Sequence, residues 1–314
     1  MQKRKLGKNG PELTIVGFGA WAIGGPWEFG WGAVDDDASI KAIRKALDLG
    51  ISWIDTAAVY GLGHSEEVVA KALAGNRDKV FLATKCGMVW DDSRKVRIHL
   101  GPSSIRKEIE NSLRRLKTDH VDLYQFHWPD PATPLEESWQ VMVDLKKEGK
   151  VKYIGVCNFD VPLLKRCESI APVQSLQPIF NLLKREVAAE TLPYCRKQGI
   201  GVVAYSPMMS GLLTGKFDMK RVAADDWRRK NPAFQEPLLS KETAFVDRLR
   251  PIAARYGKTV GQLAVAWVNM NPAVTSSIVG ARTDRQVEEN IGSDFTVAPA
   301  EMKEIEIALR ETVG

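Results

Sequence analysis

The sequence predicts an α/β fold, a (β/α)8 TIM barrel with an N-terminal β-hairpin cap and an extra C-terminal helix. Eight short apolar runs alternate with longer amphipathic stretches along the 314 residues, which indicates consecutive βαβ units with parallel strands. Eight such strands close naturally into a barrel, whereas an open sheet of that size normally carries insertions or a second domain. No linker rich in Gly, Ser or Pro divides the chain, so we expect residues 1–314 to form one domain.

Each predicted strand is short and largely apolar, as a strand buried between a barrel interior and an outer helix ring must be. The predicted strands span residues 15–19, 52–55, 80–85, 121–127, 153–158, 174–177, 201–205 and 275–279. The amphipathic stretches predict helices at residues 37–49, 66–73, 103–116, 134–147, 161–168, 185–198, 241–256 with 260–270, and 284–291. Gly50 and Gly199 follow two of these stretches, as glycines that end helices do.

Three further segments add to the predicted barrel. Residues 4–6 and 13–15 predict the hairpin, because the turn between them carries an Asn-Gly signal. Residues 299–312 predict the extra outer helix. An irregular region from 206 to about 240 follows the seventh strand, and loops of that length are more often functional than accidental. Since it leaves the C-terminal end of a strand, we expect it on the active-site face.

Charge and cysteine usage exclude several classes of function. The 44 Lys and Arg residues are scattered among 39 acids, so the net charge of +5 forms no basic stripe for nucleic acid. The four cysteines have no C-x-x-C spacing, and no paired ligand spacing indicates a metal site. The N-terminus lacks a signal-peptide core, and no apolar run reaches the roughly 18 residues that cross a bilayer. We expect a cytoplasmic protein, monomeric or a weak homo-oligomer, without a metal or membrane partner.

Polar residues at three consecutive predicted strand ends are the strongest functional signal. Asp55 and Tyr60 follow the second strand, Lys85 ends the third and His127 ends the fourth. Each alone is compatible with a structural role. Together they specify a mechanism, because a nearby Lys lowers the pKa of a phenol, an Asp keeps that Lys charged, and a neutral His can orient a carbonyl oxygen. The four residues therefore predict a proton donor for carbonyl reduction.

Five motifs in order along the chain resemble the aldo-keto reductase family. They are GISWIDTAAVYG at 50–61, LATK at 82–85, VDLYQFHWP at 121–129, KYIGVCNF at 152–159 and IVGARTDRQVEEN at 278–290. The match spans nearly the whole chain, and spacing and order together make it very specific. The resemblance implies an oxidoreductase that reduces a small-molecule aldehyde or ketone with hydride from NADPH.

The resemblance also implies the role of each catalytic residue. Tyr60 is expected to be the general acid, Lys85 and Asp55 to tune it, and His127 to position the substrate carbonyl. Around them, Trp21, Trp90 and Trp128 are expected to form aromatic walls of the substrate site, together with Tyr60 and His127. Trp27 and Trp31 are further candidates for the same face. Cys157 occupies a place where relatives often have Ser.

For the cofactor, the resemblance implies contacts from several strand ends. Asn158 and Gln177 are expected to bind the nicotinamide carboxamide, and Tyr205 to stack on the ring. Gly19, Ala20 and Trp21 at the first strand exit, with Asp55, are expected beside them. The residues expected to wrap the pyrophosphate are Ser206, Pro207, Gly211, Leu212 and Lys216.

The helix predicted at 284–291 offers a phosphate site at its start. Gly280, Ala281 and Arg282 precede it, so backbone N–H groups and a guanidinium converge where a 2′-phosphate could bind. Many relatives carry Lys at the position of Gly280, a departure that weakens the expected preference for NADPH. The residues expected to face the adenosine are Gln286, Glu289 and Asn290.

Two other functions are compatible with the same barrel. One is a nucleotide-binding barrel that senses cofactor or regulates a partner, as in channel-associated members of the family. The other is a metal-free isomerase or lyase in which Lys85 forms a Schiff base. Turnover with a carbonyl substrate would distinguish the reductase from the first, and borohydride trapping on Lys85 would identify the second.

Overall fold

A computed structural model describes residues 1–224 and 226–314, so Asp225 of the predicted irregular region lies outside the described residues. Eight parallel strands form a closed barrel. Helices connect consecutive strands and surround the barrel, which confirms the predicted (β/α)8 fold. The barrel strands, in their order around the barrel, are β3 (Val16–Gly19), β4 (Trp53–Asp55), β5 (Phe81–Cys86), β8 (Val121–Phe126), β9 (Val151–Cys157), β10 (Ser175–Gln177), β11 (Gly201–Ala204) and β12 (Val274–Gly280).

Ten α-helices lie within the described residues, and most agree with the predicted spans to within three residues. They are α1 Asp36–Asp48, α2 His64–Ala72, α3 Pro102–Leu116, α4 Leu135–Lys147, α5 Val161–Glu168, α6 Thr191–Gln198, α7 Leu238–Arg255, α8 Val260–Met270, α9 Asp284–Ile291 and α10 Pro299–Thr312. The last of these is the predicted extra helix. No helix in the described part of the chain combines the length and apolar character needed to span a membrane.

Local chemistry fixes several helix ends. Asp35 accepts a hydrogen bond from the backbone of Ala38 at the start of α1, and Thr259 and Gln262 form a reciprocal capping box at the start of α8. Gly199 ends α6 with φ of 73°, a left-handed conformation that glycine adopts without steric cost. Each of these caps satisfies or redirects backbone groups that a helix end leaves unpaired.

The predicted N-terminal hairpin closes the bottom of the barrel. Its strands are β1, Lys3–Lys5, and β2, Glu12–Thr14, which pair antiparallel. Leu6 and Leu13 are buried against Trp53, while Arg4 donates to the backbone oxygens of Asn269 and Val274 near the start of β12. The hairpin therefore seals the end of the barrel opposite the strand C-termini.

One predicted helix is wrong in its first half. Residues 185–198 were expected to be helical throughout, but Glu186–Ala188 form a 3-10 turn and α6 begins only at Thr191. Pro193 explains the difference, because a proline lacks an N–H and collides with the preceding turn unless it lies in the first turn of a helix. The helix can therefore start no more than about one turn before Pro193.

Two loops on the upper face contain structure that the sequence did not indicate. A second hairpin follows β5 and consists of β6, Met88–Trp90, paired with β7, Val96–Ile98. Residues 91–95 between these two short strands, DDSRK, contain no Gly, Pro or Asn-Gly signal that would have indicated a hairpin. The described residues of the irregular region after β11 contain four short 3-10 segments, at Met209–Thr214, Met219–Arg221, Trp227–Lys230 and Pro232–Phe234.

Close packing in the barrel interior predicts that a larger residue at Gly17 of β3 would destabilise the fold. A Cβ atom at this position would lie 2.1 Å from Cε2 of Trp53, whose ring is fully buried and whose indole N–H donates to Ser276. We expect Gly17→Ala to lower the free energy of unfolding by about 2 kcal/mol through overpacking, measured by urea denaturation. In a Trp53→Leu background the added methyl has space, so the same change should cost less. Equal costs in both backgrounds would contradict the clash.

Candidate active site

The C-terminal ends of neighbouring strands bring the four predicted catalytic residues together. Asp55 ends β4, Lys85 lies near the end of β5, and His127 directly follows β8. Tyr60 belongs to the turn between β4 and α2. Because β4, β5 and β8 are adjacent in the barrel, these side chains meet at the upper rim.

Lys85 is the centre of the site. Its ammonium nitrogen Nζ donates to Asp55 Oδ2 at 2.7 Å, to the backbone oxygen of Thr56 at 2.9 Å and to Tyr60 Oη at 3.2 Å. These three acceptors use all the protons of an ammonium group. Lys85 is 1% exposed and Asp55 is 2% exposed, so the ion pair is shielded from water. The geometry fixes Nζ between a carboxylate and a phenol.

The electrostatics of Tyr60 correct one expectation. The phenol was expected to have a lowered pKa because of Lys85, but burial raises the pKa of Tyr60 to about 12 and Lys85 offsets only part of that rise. For Lys85, burial alone would lower the pKa, but Asp55 and Tyr60 outweigh it and the pKa is raised. At neutral pH the arrangement is therefore an ammonium beside a protonated phenol.

His127 completes the polar surface next to Tyr60. The two rings meet edge to face, with centroids 5.6 Å apart. Burial and the nearby charge of Lys85 hold the pKa of His127 well below its usual value, so the imidazole is neutral. A neutral imidazole offers one N–H donor and one acceptor.

The residues predicted to bind nicotinamide are hydrogen-bonded to this site. Gln177 Nε2 donates to Asp55 Oδ1 at 2.8 Å. Asn158 Nδ2 donates to the backbone oxygen of His127 at 3.2 Å, and the hydroxyl of Tyr205 donates to Asn158 Oδ1 at 3.1 Å. The ends of β9, β10 and β11 are thus connected to those of β4 and β8.

A cavity of about 580 Å³ lies above these strand ends. It is lined by most of the predicted site residues, namely Gly19, Trp21, Asp55, Tyr60, His127, Trp128, Asn158, Gln177, Tyr205, Ser206, Pro207, Gly211, Gly280, Ala281, Arg282 and Gln286. Trp27, Trp31 and Cys157 line it as well. The cavity therefore runs from the Tyr60 hydroxyl to the start of α9.

Other predicted site residues lie outside the cavity lining. Ala20 and Leu212 are buried in the hydrophobic core. Lys216 and Glu289 bind each other, with both carboxylate oxygens 2.9 Å from Lys216 Nζ, in a bridge between the long loop and α9. Asn290 donates to the backbone oxygen of Gly280.

Trp90 also lies outside the lining, on the second hairpin, where it packs against the cluster that contains Tyr60. The expected role of Trp90 as a wall of the substrate site therefore has no support in the cavity lining.

An aromatic wall includes one residue that the sequence did not single out. Trp227, from the long loop after β11, lies against Trp21 and Trp31 with ring centroids 5.7 and 6.3 Å away. Arg228 stacks on Trp31 and binds Asp226, which anchors the loop. Phe29, Met88 and Asn231, which were not predicted either, line other parts of the cavity. Long-range loop packing creates these contacts, and no local pattern signals it.

The far end of the cavity fits a phosphate-bearing ligand. Gly280 and Gly19 are paired on β12 and β3, so neither residue adds a side chain to the cavity between the two strand exits. Beyond them, Arg282 is exposed and forms no salt bridge with residues 1–224 or 226–314. An exposed guanidinium at one end and a phenol with an imidazole at the other suit an elongated anionic cofactor such as a nicotinamide dinucleotide.

The buried ion pair generates a prediction about stability. Lys85→Met should lower the free energy of unfolding by about 3 to 5 kcal/mol, because the buried carboxylate of Asp55 loses its counter-charge. The double variant Asp55→Asn, Lys85→Met should be more stable than Lys85→Met alone, since no uncompensated charge remains. Urea denaturation of both variants and the wild type measures this difference. Additive costs would contradict direct coupling of the two groups.

Comparison with known proteins gives consistent matches over the whole chain. The model of the aldo/keto reductase family matches residues 15–310. Aldo-keto reductase YhdN of Bacillus subtilis (strain 168) is 40% identical over 100% of this chain and 95% of its own length. NADH-specific methylglyoxal reductase of Escherichia coli (strain K12) is 35% identical over 93% of each protein.

A solved structure agrees with the sequence comparisons. The glycerol dehydrogenase AKR11B4 from Gluconobacter oxydans superposes with a TM-score of 0.89 at 39% identity, and the match covers 99% of this chain and 95% of that one. Fold, sequence and motif order thus agree. The chain belongs to the aldo/keto reductase family of oxidoreductases, which act on carbonyl compounds.

Proposed function

We propose that this protein reduces aldehydes or ketones to alcohols with NADPH, and that Tyr60 is the proton donor. The observation that carries the proposal is the 3.2 Å contact between Lys85 Nζ and Tyr60 Oη, at the wall of a cavity that extends to Arg282. Hydride addition to a carbonyl carbon leaves negative charge on the oxygen, so the reaction needs a proton beside it. The Tyr60 hydroxyl is the acidic group that Lys85 assists.

The network around Tyr60 supports proton donation from the phenol. With a pKa of about 12, the hydroxyl keeps its proton at neutral pH and is in the donor form. Once the proton has moved to the substrate oxygen, the phenolate lies beside the ammonium of Lys85, whose positive charge stabilises it. Asp55 raises the pKa of Lys85 and so keeps it protonated, although burial acts to lower that pKa. The donor can then recover its proton from solvent.

His127 suits the task of orienting the substrate. Its imidazole is neutral, so it can donate one hydrogen bond to the carbonyl oxygen without competing as a stronger acid. The edge-to-face contact with Tyr60 places both groups on the same side of the cavity. A carbonyl oxygen held between them would be aligned for proton transfer.

The cavity supports a nicotinamide dinucleotide as the second reactant. When bound, NADPH supplies the hydride for the carbonyl carbon. Asn158 and Gln177 would hold the carboxamide, and the ring of Tyr205 would pack against the nicotinamide. The loop that begins at Ser206 would cover the pyrophosphate. The bridge between Lys216 and Glu289 lies where this loop meets α9 and would hold it in place.

Arg282 supports NADPH over NADH. A guanidinium that forms no salt bridge within the described residues is available to a 2′-phosphate, which NADH lacks. One relative of 35% identity is described as NADH-specific, and Gly280 at the end of β12 offers no second cation. The preference therefore depends on Arg282 more than on a second cation.

The same geometry weighs against a Schiff-base mechanism. Imine formation needs a neutral amine, but the pKa of Lys85 is raised and its three protons are all donated to protein acceptors. A purely regulatory barrel would have no use for a buried ion pair aimed at a phenol. The direct test is NADPH oxidation in the presence of 4-nitrobenzaldehyde or methylglyoxal; tight cofactor binding without turnover would favour the regulatory alternative.

Tyr60→Phe tests the proton donor. We expect kcat to fall by about 100-fold or more with unchanged affinity for NADPH, because the substitution removes only the hydroxyl. Steady-state kinetics with 4-nitrobenzaldehyde and fluorescence titration with NADPH provide the two readouts. Tyr153→Phe, which changes a tyrosine outside the cavity, is the matched control and should keep wild-type kcat. Wild-type turnover by Tyr60→Phe would exclude Tyr60 as the donor.

Arg282→Ala tests the cofactor assignment. We expect a loss of about 10-fold in NADPH affinity and little change for NADH, because a charge-assisted contact to the extra phosphate is removed. Calorimetric titration with both cofactors measures the difference. Arg285→Ala removes a second exposed arginine of the same segment, outside the cavity, and serves as the control. Equal weakening of both cofactors would place Arg282 away from the 2′-phosphate.

A further inference from the structure

A buried carboxyl group on α3 contacts the backbone directly behind the catalytic residues. Glu108 is 8% exposed, and its Oε2 accepts a hydrogen bond from the backbone N–H of Gly87 at 2.9 Å. Its other oxygen, Oε1, accepts from the hydroxyl of Ser104 at 3.1 Å. Glu108 does not line the cavity, so the proposed reaction does not use it directly.

The peptide group between Cys86 and Gly87 connects Glu108 to the active site. Its N–H donates to Glu108, and its carbonyl oxygen accepts from the backbone N–H of His127 at 2.9 Å. This planar unit joins the carboxyl of α3 to the backbone of His127. Lys85 precedes Cys86 in the chain, so it is one residue away from the same unit.

The hydrogen bonds continue from His127 around the upper rim. The backbone oxygen of His127 accepts from Asn158 Nδ2, and Asn158 Oδ1 accepts from the Tyr205 hydroxyl. The chain of contacts thus starts at Glu108 and ends at the residue expected to pack on nicotinamide. Successive hydrogen bonds of this kind polarise and orient one another.

The backbone at Gly87 has little freedom to move. Its φ is 87°, in the left-handed region, and a Cβ atom there would lie 2.3 Å from Cδ2 of Leu100. Gly87 also begins the second hairpin, whose Met88 lines the cavity. A change in how Glu108 holds this N–H would therefore be transmitted to Lys85 and His127.

We propose that Glu108 is a positioning residue, which holds the Cys86–Gly87 peptide and thereby sets the placement of Lys85 and His127. The inference rests on the proposed reductase function, because its kinetic consequence is the rate of carbonyl reduction. Glu108 touches neither substrate nor cofactor and acts through one peptide group.

The surroundings of Glu108 make this positioning sensitive to pH near neutrality. Burial raises the pKa of Glu108 to about 7, although the bonds from Gly87 and Ser104 and the charge of Arg115 lower it, while Glu66 on α2 raises it further. Cys86 on β5 and Tyr124 on β8 also face it, and burial raises the pKa of both well above their usual values, so both stay neutral. A carboxylate accepts a stronger hydrogen bond than a carboxylic acid. The hydrogen bond from the Gly87 N–H to Glu108 therefore becomes stronger as pH rises through about 7.

The pH profile of kcat tests the proposal. Between pH 6 and about 8, Tyr60 stays protonated and His127 stays neutral, so wild-type kcat should rise with Glu108 ionisation, with a midpoint near pH 7. Glu108→Gln should lose this midpoint and have a kcat about 10-fold lower above it, with unchanged NADPH affinity. The matched control is Glu242→Gln, since burial raises the pKa of Glu242 on α7 to about 7 too, but Glu242 does not touch the site. It should keep the wild-type profile.

The thermal stability of Glu108→Gln distinguishes a positioning role of Glu108 from a structural one. A carboxyl group whose pKa is raised on folding destabilises the protein as pH rises above its unfolded value, so removing the charge of Glu108 relieves that cost at pH 8. We therefore expect Glu108→Gln to have a Tm at pH 8 no lower than the wild type while its kcat is reduced. A lower Tm together with a proportional loss of folded enzyme would assign Glu108 a structural role and overturn the proposal.

A second variant and a spectroscopic readout keep the test independent of that substitution. Ser104→Ala removes a bond that lowers the pKa of Glu108, so the midpoint should move to higher pH. The amide ¹⁵N signals of Gly87 and His127 should titrate with the same midpoint in the wild type and shift with it in Ser104→Ala. Signals that do not titrate would refute the proposal. If they titrate but no carbonyl compound is reduced, the reductase function fails and the positioning contact stands.

Discussion

The buried contact among Lys85, Asp55 and Tyr60 is the constraint on which the rest of the site depends. An ammonium removed from water is costly unless every proton finds an acceptor and a counter-charge lies close. The barrel provides both by placing a carboxylate 2.7 Å away on the neighbouring strand and a backbone oxygen at 2.9 Å. The remaining proton points to the phenol. The need to satisfy one buried cation therefore fixes the position of the ammonium beside the phenol.

Parallel strand order places other polar groups around that contact. Because all eight strands end on the same rim, residues far apart in sequence become neighbours, and each is fixed by the hydrogen bonds of its own strand. Asp55, His127 and Asn158 lie at the ends of three strands. Gln177 donates a hydrogen bond to Asp55, and Asn158 donates one to the backbone oxygen of His127. The rigidity of the site is thus a property of the barrel. Variable loops above it supply the aromatic wall without disturbing the polar groups below.

Much of this arrangement follows from pattern alone. Alternation of apolar runs and amphipathic stretches indicates the barrel, and polar residues at strand ends indicate the four residues at the rim, because periodicity and strand direction are local properties. The first half of the helix predicted at 185–198 fails, because one proline in the first turn outweighs the periodicity. The second hairpin, with Trp90, is not indicated by the sequence, because its strands are short and the residues between them carry no Gly, Pro or Asn-Gly turn signal.

The sequence by itself determined the fold class, the order of the elements and the residue types at the strand ends, since each is encoded within about a dozen neighbouring residues. The tertiary structure decided the rest. Burial, which no local pattern reports, reverses the expected shift of the Tyr60 pKa, and long-range packing brings Trp227 to Trp21. The bond from Glu108 to Gly87 also joins distant segments. Such contacts depend on the distances that the closed barrel imposes, and those distances exist only once all the strands are in place.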